Sequence, residues 1–178
     1  SVMLGEKIMG RVDAPVTLTE YASFTCPHCA TLHQGALVVI KKEYIDTGKV
    51  RLIYRDFPLD QIAEAASMLA RCAAPDRYFP MVQMLYRSQR NWARAANPSA
   101  ALAQIGRLAG ISQKSFEACM VHRELDESII KSRTTASKTK QVRSTPTLVL
   151  GQDMMQRDPT SARWQVLHDP ALRTAADQ

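Results

Sequence analysis

The spacing of apolar and polar residues predicts two strands joined by a helix near the start of the chain. Residues 16–22, Val-Thr-Leu-Thr-Glu-Tyr-Ala, alternate as a strand does, after a turn at Asp13-Ala14-Pro15. Apolar residues recur at helical spacing from about Cys26 to Thr47, and Gly48 is a typical residue after a helix end. Alternation from Val50 to Tyr54 predicts the second strand. Short connections between these elements indicate a βαβ unit with parallel strands.

Helical spacing without a convincing strand follows over residues 60–126. Asn97-Pro98 and Ser112 are typical of helix starts, so we predict about three or four helices in this stretch. A further helix is predicted from about Glu127 to Val142.

The strand pattern returns near the end of the chain. In residues 144–150, Ser-Thr-Pro-Thr-Leu-Val-Leu, a proline opens a β-branched and aliphatic run, which favours a strand start. Met154-Met155 predicts a short edge strand, and Trp164 to Ala176 predicts a terminal helix interrupted at Asp169-Pro170. We therefore assign residues 1–59 and 127–178 to one α/β domain and residues 60–126 to an all-helical insertion.

Length and charge exclude several classes of protein. A chain of 178 residues buries roughly 70% of its unfolded surface and needs no disulfides to fold. No apolar run reaches about 18 residues, so we expect no membrane-spanning helix. The net charge is +6, and Lys138, Lys140 and Arg143 form the densest basic cluster. This cluster is either a solvated helix face or an anion-binding patch. Because aromatic residues do not alternate with the basic ones, we expect no nucleic-acid partner.

Two thiols stand three residues apart in Cys26-Pro27-His28-Cys29, where the first strand passes into the helix. Thr25 is a suitable N-cap, so free N–H groups and the helix dipole would stabilise a thiolate here. A zinc site would need two further ligands at short spacing, and His33 stands alone nearby. A disulfide between such close residues would constrain little of the unfolded chain. We therefore interpret the motif as a redox-active pair and expect no metal site.

The two cysteines have different predicted roles. Cys26, at the helix start, is expected to be the exposed nucleophile, and Cys29 the more buried resolving thiol. Pro27 restricts the backbone between them. The imidazole of His28 can donate a hydrogen bond to the Cys26 thiolate or carry a positive charge beside it. Either effect would stabilise the reduced form and strengthen the disulfide as an oxidant. The alternative is an exposed histidine without a role.

Together with residues 20–25, Glu-Tyr-Ala-Ser-Phe-Thr, the Cys-Pro-His-Cys motif resembles the bacterial thiol:disulfide oxidase family, DsbA and its relatives. The resemblance extends in motif order and spacing from about Asp13 to Leu150. It implies an α/β, thioredoxin-like fold with an inserted all-helical domain. It also implies that the chemistry needs no metal or organic cofactor.

The resemblance assigns roles to three more residues. Glu20 stands where the family often has a glutamate, which would accept or relay the proton of Cys29. Otherwise Glu20 is a solvated carboxylate at a strand end. Thr145 and Pro146 match the family's residue and cis-proline that face the active-site disulfide. A cis-proline would leave the Thr145 backbone free to pair with an extended substrate peptide. The alternative is an ordinary trans proline at a strand start.

Cys72 and Cys119 lie on the predicted inner faces of two helices. Some relatives carry a second, non-catalytic disulfide in the helical domain, and this pair resembles it. Two buried free thiols are the alternative, since an unpaired buried cysteine behaves as a small hydrophobic residue. A disulfide here would either tune the redox balance of the main site or brace the helices.

The implied function is a thiol:disulfide oxidase that donates the Cys26–Cys29 disulfide to unfolded or reduced exported polypeptides, through a mixed disulfide at Cys26. A membrane partner of the DsbB type would reoxidise it. A periplasmic or otherwise exported location follows, although the sequence shows no signal peptide.

Two other functions stay open at this point. A disulfide isomerase or reductase would use the same site. Isomerases of this superfamily generally dimerise through an added domain, and no such segment precedes Val16, so we expect a monomer. A redox-inactive, chaperone-like module that binds peptides beside Pro146 belongs to a different class.

The end of the chain departs from the family pattern. Relatives usually close with a hairpin containing Asn-Gly and then an amphipathic helix. Here Gly151-Gln152-Asp153 replaces that turn, and residues 156–178 are mostly polar. We therefore expect the last strand and helix to be shortened, rearranged or disordered.

Overall fold

In the computed structural model, which describes residues 2–151 and the backbone of residues 153–156, five strands form a mixed sheet in the order β1-β3-β2-β4-β5. The strands are β1 (Lys7–Met9), β2 (Val16–Ala22), β3 (Val50–Asp56), β4 (Thr147–Leu150) and β5 (Asp153–Gln156). β2 and β3 are parallel, as the βαβ pattern predicts, and the other neighbouring pairs are antiparallel.

Eight α-helices accompany the sheet within the same described residues. They are α1 (Pro27–Gln34), α2 (Ala36–Ile40), α3 (Gln61–Cys72), α4 (Tyr78–Arg87), α5 (Gln89–Ala93), α6 (Pro98–Leu108), α7 (Gln113–Met120) and α8 (Arg123–Thr139). A π-helical turn, Lys41–Ile45, follows α2, and 3-10 turns occupy Val2–Leu4 and Pro75–Arg77. The predicted helical character of the stretch between β3 and β4 is therefore confirmed.

Apolar side chains pack on both faces of the sheet, and successive residues of β2 contribute to one face and then the other. Val16 and Leu18 belong to a buried cluster that includes apolar residues of α1 and α2. Tyr21 faces the other side and packs with Ala136 of α8 and with Val142. The largest buried cluster joins the end of β2 and the segment after it to helices α3, α4, α5 and α6. The Cys-Pro-His-Cys segment therefore lies where the sheet meets the helical part.

The first predicted helix is neither continuous nor capped by a threonine. Cys26 is itself the N-cap residue and Pro27 is the first helical residue. The Thr25 hydroxyl instead donates to Asp60 Oδ2 at 2.8 Å. Gly35, at φ −121° and ψ −102°, separates α1 from α2. The prediction of one helix over residues 26–47 was wrong because the apolar spacing continues across this break.

The helix before the last strands begins earlier than predicted. α8 starts at Arg123 rather than near Glu127, because the Nδ1 atom of His122 accepts a hydrogen bond from the Leu125 N–H at 3.2 Å. A histidine is not among the preferred N-cap residues, so the start was not recognisable. The predicted domain boundary between residues 126 and 127 falls inside α8, and the division into domains stays a prediction.

Of the two edge strands of the sheet, the sequence predicted β5 but not β1. β1 was missed, because three residues are too few to show an alternating pattern. Met154-Met155 lies in edge strand β5, as predicted, after a turn in which Gly151 has a φ of 59°. The terminal helix predicted for Trp164 to Ala176, with its interruption at Asp169-Pro170, lies outside the described residues.

Among the helices described, none is long and apolar enough to cross a membrane.

Candidate active site

The carboxyl end of β2 leads directly to the two cysteines. The Cys26 N–H donates to the Ser23 carbonyl at 3.1 Å, and the Cys26 carbonyl accepts from the Ala30 N–H at 3.2 Å. α1 therefore begins immediately after Cys26 and places Cys29 in its first turn. Cys26 is 5% exposed, Cys29 is completely buried, and both are free thiols. The nucleophile predicted as exposed thus has only a small accessible surface.

The surroundings of Cys26 favour its thiolate. A hydrogen bond from the Cys29 thiol is the largest cause that lowers the pKa of Cys26 from 9.0 to about 5. The side chain of Thr145 and hydrogen bonds from the backbone of Cys29 and His28 act in the same direction, while burial opposes them. Because the thiolate is the reactive form of cysteine, these surroundings favour the reactive form of Cys26 at neutral pH.

The surroundings of Cys29 favour its protonated form. Burial is the main cause that raises the pKa of Cys29 well above its ordinary value. Its hydrogen bond to Cys26 and the negative charges of Cys26 and Glu20 raise that pKa further. Cys29 therefore keeps its proton while Cys26 is charged, which is the difference that a resolving thiol and a nucleophile require.

The segment before β4 lies against Cys26. The Cys26 Sγ atom lies 3.4 Å from the backbone carbonyl oxygen of Thr145, to which it donates when protonated, and the Thr145–Pro146 peptide bond is cis. Thr147, the first residue of β4, pairs with Tyr21 of β2. The pairing of β2 with β4 therefore brings together two segments that lie 119 residues apart in sequence.

A glutamate and a histidine form a buried pair between β2 and α1. His33 Nε2 lies 2.7 Å from Glu20 Oε1 and 3.0 Å from Glu20 Oε2. The Glu20 side chain is completely buried, and that of His33 is 4% exposed. Glu20 is therefore not a solvated carboxylate at a strand end. Its charge contributes to the raised pKa of Cys29, so it acts on the resolving thiol.

Two tyrosines enclose this pair. The His33 ring stacks on Tyr86 at a centroid distance of 4.4 Å and meets Tyr54 edge-on at 5.8 Å. The hydroxyl oxygens of Tyr54 and Tyr86 lie 2.7 Å apart in a hydrogen bond. Burial raises the pKa of both phenols well above the ordinary value, so they are neutral. The wall around the Glu20–His33 pair is therefore uncharged and buried.

Two supporting residues were missed by the sequence analysis. His33 has no partner that can be read from the sequence, although its spacing from Cys29 places both on one helix face. Gln89 of α5 is buried, and its Nε2 atom donates to the carbonyls of Phe24 at 2.7 Å and Cys26 at 2.9 Å. No pattern in the sequence indicates that Gln89 binds these two carbonyls, because its helix is distant from them along the chain.

Pro27 and His28 are both exposed at the start of α1. Pro27 occupies the first helical position, where its missing N–H costs no hydrogen bond. The backbone of His28 is among the groups that lower the pKa of Cys26. The predicted tuning by the imidazole ring of His28 stays a prediction.

Cys72 and Cys119 form a disulfide between α3 and α7 across a sequence separation of 47 residues. They pack with Met68, Leu125 and Ile129 in a cluster distinct from the one that contains Cys26 and Cys29. The disulfide therefore connects helices of the predicted insertion.

In the part of the chain that the structure describes, no group of three or more His, Cys, Asp or Glu residues could hold a metal ion.

Comparison with known proteins identifies the family. A sequence profile of the family described as Thioredoxin matches residues 3–169. A putative protein-disulfide oxidoreductase of Rickettsia typhi is 30% identical over 142 residues, which cover 79% of this chain and 53% of that protein. A probable disulfide bond formation protein D of Bacillus anthracis is 27% identical over 159 residues, covering 86% and 73%.

A solved structure agrees with these sequence matches. The crystal structure of Wolbachia pipientis alpha-DsbA1 has a TM-score of 0.86 and 26% sequence identity, and it covers 96% of this chain and 92% of that one. Fold and motif together define a thioredoxin-fold protein with a Cys-x-x-Cys dithiol. The chain belongs to the thioredoxin family, and its fold is that of DsbA proteins. The chain spans about half the length of the Rickettsia relatives it matches.

Proposed function

We propose that this protein is a thiol:disulfide oxidase that introduces disulfides into reduced, unfolded exported polypeptides. The observation that carries the proposal is the placement of the two thiols, with Cys26 at the N-cap of α1 and Cys29 buried in its first turn. The hydrogen bond from Cys29 lowers the pKa of Cys26 to about 5, and burial raises the pKa of Cys29 well above its ordinary value. A stable Cys26 thiolate stabilises the reduced dithiol and makes the disulfide a stronger oxidant. The names of the Rickettsia and Bacillus relatives support the same chemistry.

The first half of the reaction starts from the Cys26–Cys29 disulfide. A substrate thiolate attacks Cys26 Sγ, the bond between the two cysteine sulfurs breaks, and Cys29 leaves as a thiolate. The high pKa of Cys29 makes it take up a proton, which Glu20, hydrogen-bonded to His33, relays. The product is a mixed disulfide between the substrate and Cys26.

The second half releases the oxidised substrate. A second substrate thiolate attacks the substrate sulfur of the mixed disulfide, and Cys26 leaves as a thiolate. The low pKa of Cys26 makes it a good leaving group. The substrate has lost two electrons and gained a disulfide, and the protein has become a dithiol. Sulfur atoms alone carry this exchange, so no metal or organic cofactor takes part.

Thr145 and Pro146 are the proposed binding site for the substrate backbone. The Thr145 carbonyl oxygen lies 3.4 Å from the Cys26 Sγ atom, so a peptide bonded to Cys26 would lie beside it. An extended peptide would pair with this segment as an added strand. A DsbB-type membrane oxidant in an exported compartment would return the dithiol to the disulfide.

The proposal is tested with a reduced, unfolded protein whose native fold contains disulfides. The oxidised protein is expected to transfer its disulfide in equimolar amount, and Cys26→Ser to transfer none. The reduced Cys29→Ser variant, mixed with an oxidised substrate, should accumulate a mixed disulfide at Cys26. Rearrangement of scrambled disulfides that is faster than net oxidation of thiols would contradict an oxidase and favour an isomerase. Tight peptide binding without thiol exchange would favour a chaperone-like module.

A further inference from the structure

Two open cavities lie side by side at Pro27, in the segment between the two cysteines. One, of about 620 Å³, is bounded by α1 and by the junction of α4 with α5. The other, of about 350 Å³, extends toward Asp60 at the start of α3. Pro27, Gln89 and Arg90 line both cavities. Neither cysteine lines the cavities, which approach the dithiol segment through Pro27 and through Gln89, the donor to the Cys26 carbonyl.

Three arginines line these cavities and give them a positive charge. Arg87, Arg90 and Arg94 are all exposed. Within the described chain, none of their guanidinium groups has an ion-pair or hydrogen-bond partner. Other basic side chains do pair with carboxylates: Arg11 with Asp13, Lys41 with Asp46, Arg55 with Glu6, and Arg123 with Glu127. We name the surface formed by Pro27, Gln89 and these three arginines the arginine cleft.

The carboxylate nearest to these arginines is already engaged. Among the described residues that line the two cavities, Asp60 is the single acidic one. Its Oδ1 accepts from the Ala63 N–H at 2.8 Å and caps α3, and its Oδ2 accepts from the Thr25 hydroxyl at 2.8 Å. The positive charge of the arginine cleft is therefore available to a ligand.

Hydrogen bonds of Gln89 and Trp92 fix the backbone that carries the arginines relative to Cys26. Gln89 Nε2 donates to the Cys26 carbonyl at 2.9 Å, which holds the start of α5 against the active-site turn. Trp92 Nε1 donates to the Leu85 carbonyl at 2.8 Å and holds α5 on α4. The helix backbone beneath Arg90 is therefore held in place relative to Cys26, while its exposed guanidinium group is free to bind a ligand.

We propose that the arginine cleft selects substrate polypeptides that carry acidic residues beside their reactive cysteine. This inference rests on the proposed thiol exchange at Cys26. Guanidinium groups bind carboxylates through paired hydrogen bonds, and an acidic segment would supply the charges that the cleft lacks. A charged cleft also accelerates the encounter with an oppositely charged partner, in a way that salt screens.

The test compares three peptides that differ only in the residues beside a single cysteine: glutamate, serine or lysine. The measured quantity is the second-order rate at which each peptide thiol opens the Cys26–Cys29 disulfide and forms a mixed disulfide at Cys26, at low and at high salt. Each rate is divided by the same peptide's rate with a neutral small disulfide, which removes differences in thiol ionisation. The variants are Arg87→Ser/Arg90→Ser/Arg94→Ser and the charge-matched control Lys42→Ser/Lys114→Ser/Lys131→Ser, whose lysines are exposed and line neither cavity.

The wild type is expected to react roughly tenfold faster with the glutamate peptide than with the lysine peptide at low salt. The preference should fall at high salt, disappear in the arginine variant and persist in the lysine variant. Arg90→Gln, a milder change, should reduce it in part. The serine peptide should react equally with all variants, which also shows that each is folded.

Three results would overturn the selection of acidic substrates. They are equal normalised rates for all peptides, a preference that survives in the arginine variant, and a preference that both triple variants lose equally. In the last case net charge alone steers the substrate. Chemical modification of the cleft arginines by an arginine-specific reagent is measured as well. If anionic vesicles slow this modification and the glutamate peptide does not, the cleft is assigned to a membrane surface instead. Failure of the proposed exchange is a separate outcome, because then the serine peptide does not open the disulfide even of the wild type.

Discussion

His33 Nε2 lies 2.7 Å from Glu20 Oε1, so the helix that carries Cys29 and the strand that leads to Cys26 are joined by a buried hydrogen-bonded pair. A buried carboxyl group without a polar partner is unfavourable. His33 therefore allows Glu20 to stay in the core, where its charge raises the pKa of Cys29. This relationship connects the packing of α1 on β2 with the chemistry of the dithiol.

Replacement of His33 is expected to destabilise the fold mainly through the glutamate that it leaves behind. His33→Leu should lower the free energy of unfolding by about 3 kcal/mol, because Glu20 would stay buried without its partner. Glu20→Leu/His33→Leu should lose less than His33→Leu alone, since no buried carboxyl group is left. Urea unfolding of the four proteins in this double-mutant cycle measures both values. A loss in the double variant equal to the sum of the two single losses would show that the pair is not coupled.

The low pKa of Cys26 is expected to depend on its neighbour. Cys29→Ala should raise the pKa of Cys26 above about 5, because the hydrogen bond from the Cys29 thiol is its largest cause. Cys29→Ser keeps a hydroxyl donor and should raise it less. The ultraviolet absorbance of the thiolate, followed against pH, gives each midpoint. A midpoint that stays at about pH 5 in Cys29→Ala would assign the effect to the backbone and to Thr145 instead.

The disulfide between Cys72 and Cys119 is expected to brace the helices. For a separation of 47 residues, Cys72→Ala/Cys119→Ala should lower the free energy of unfolding by about 4 kcal/mol. The pKa of Cys26 should stay at about 5, because the two cysteine pairs lie in different buried clusters. Urea unfolding and thiolate titration of the same variant measure the two effects. A shifted Cys26 midpoint would instead give this disulfide a part in tuning the active site.

A pair of carboxyl groups between α3 and α8 is expected to make stability depend on pH. Burial, followed by the hydrogen bond and charge of Asp126, raises the pKa of Glu64 from 4.5 to about 7. A pKa raised in the folded state contributes stability that is complete below about pH 4.5 and lost as the pH rises through about 7. Glu64→Gln stays neutral and should therefore be more stable than the wild type at pH 8, but not at pH 4. Equal stability of both proteins at pH 8, by urea unfolding, would contradict the raised pKa.

The spacing of residues along the chain was sufficient to predict those features that depend on residues close together in sequence. The strand of residues 16–22, the dithiol after it and the second strand each follow from short-range spacing, and the assignment of Pro146 came with the family resemblance. The contacts of His33 and Gln89 did not follow, because packing between separate elements determines their partners. The break at Gly35 and the cap at His122 were missed because apolar periodicity does not mark a change in backbone direction or an unusual cap.

The central claim is that the thiolate of Cys26 makes the Cys26–Cys29 disulfide oxidising. The most direct test is the equilibrium of this pair against a series of reduced and oxidised glutathione, with His28→Ala measured in parallel. The account predicts a potential well above the value of about −270 mV for thioredoxin, and a lower potential in His28→Ala. A potential near that of thioredoxin, unchanged by the substitution, would contradict both the oxidase and the role of His28, and would indicate a reductase.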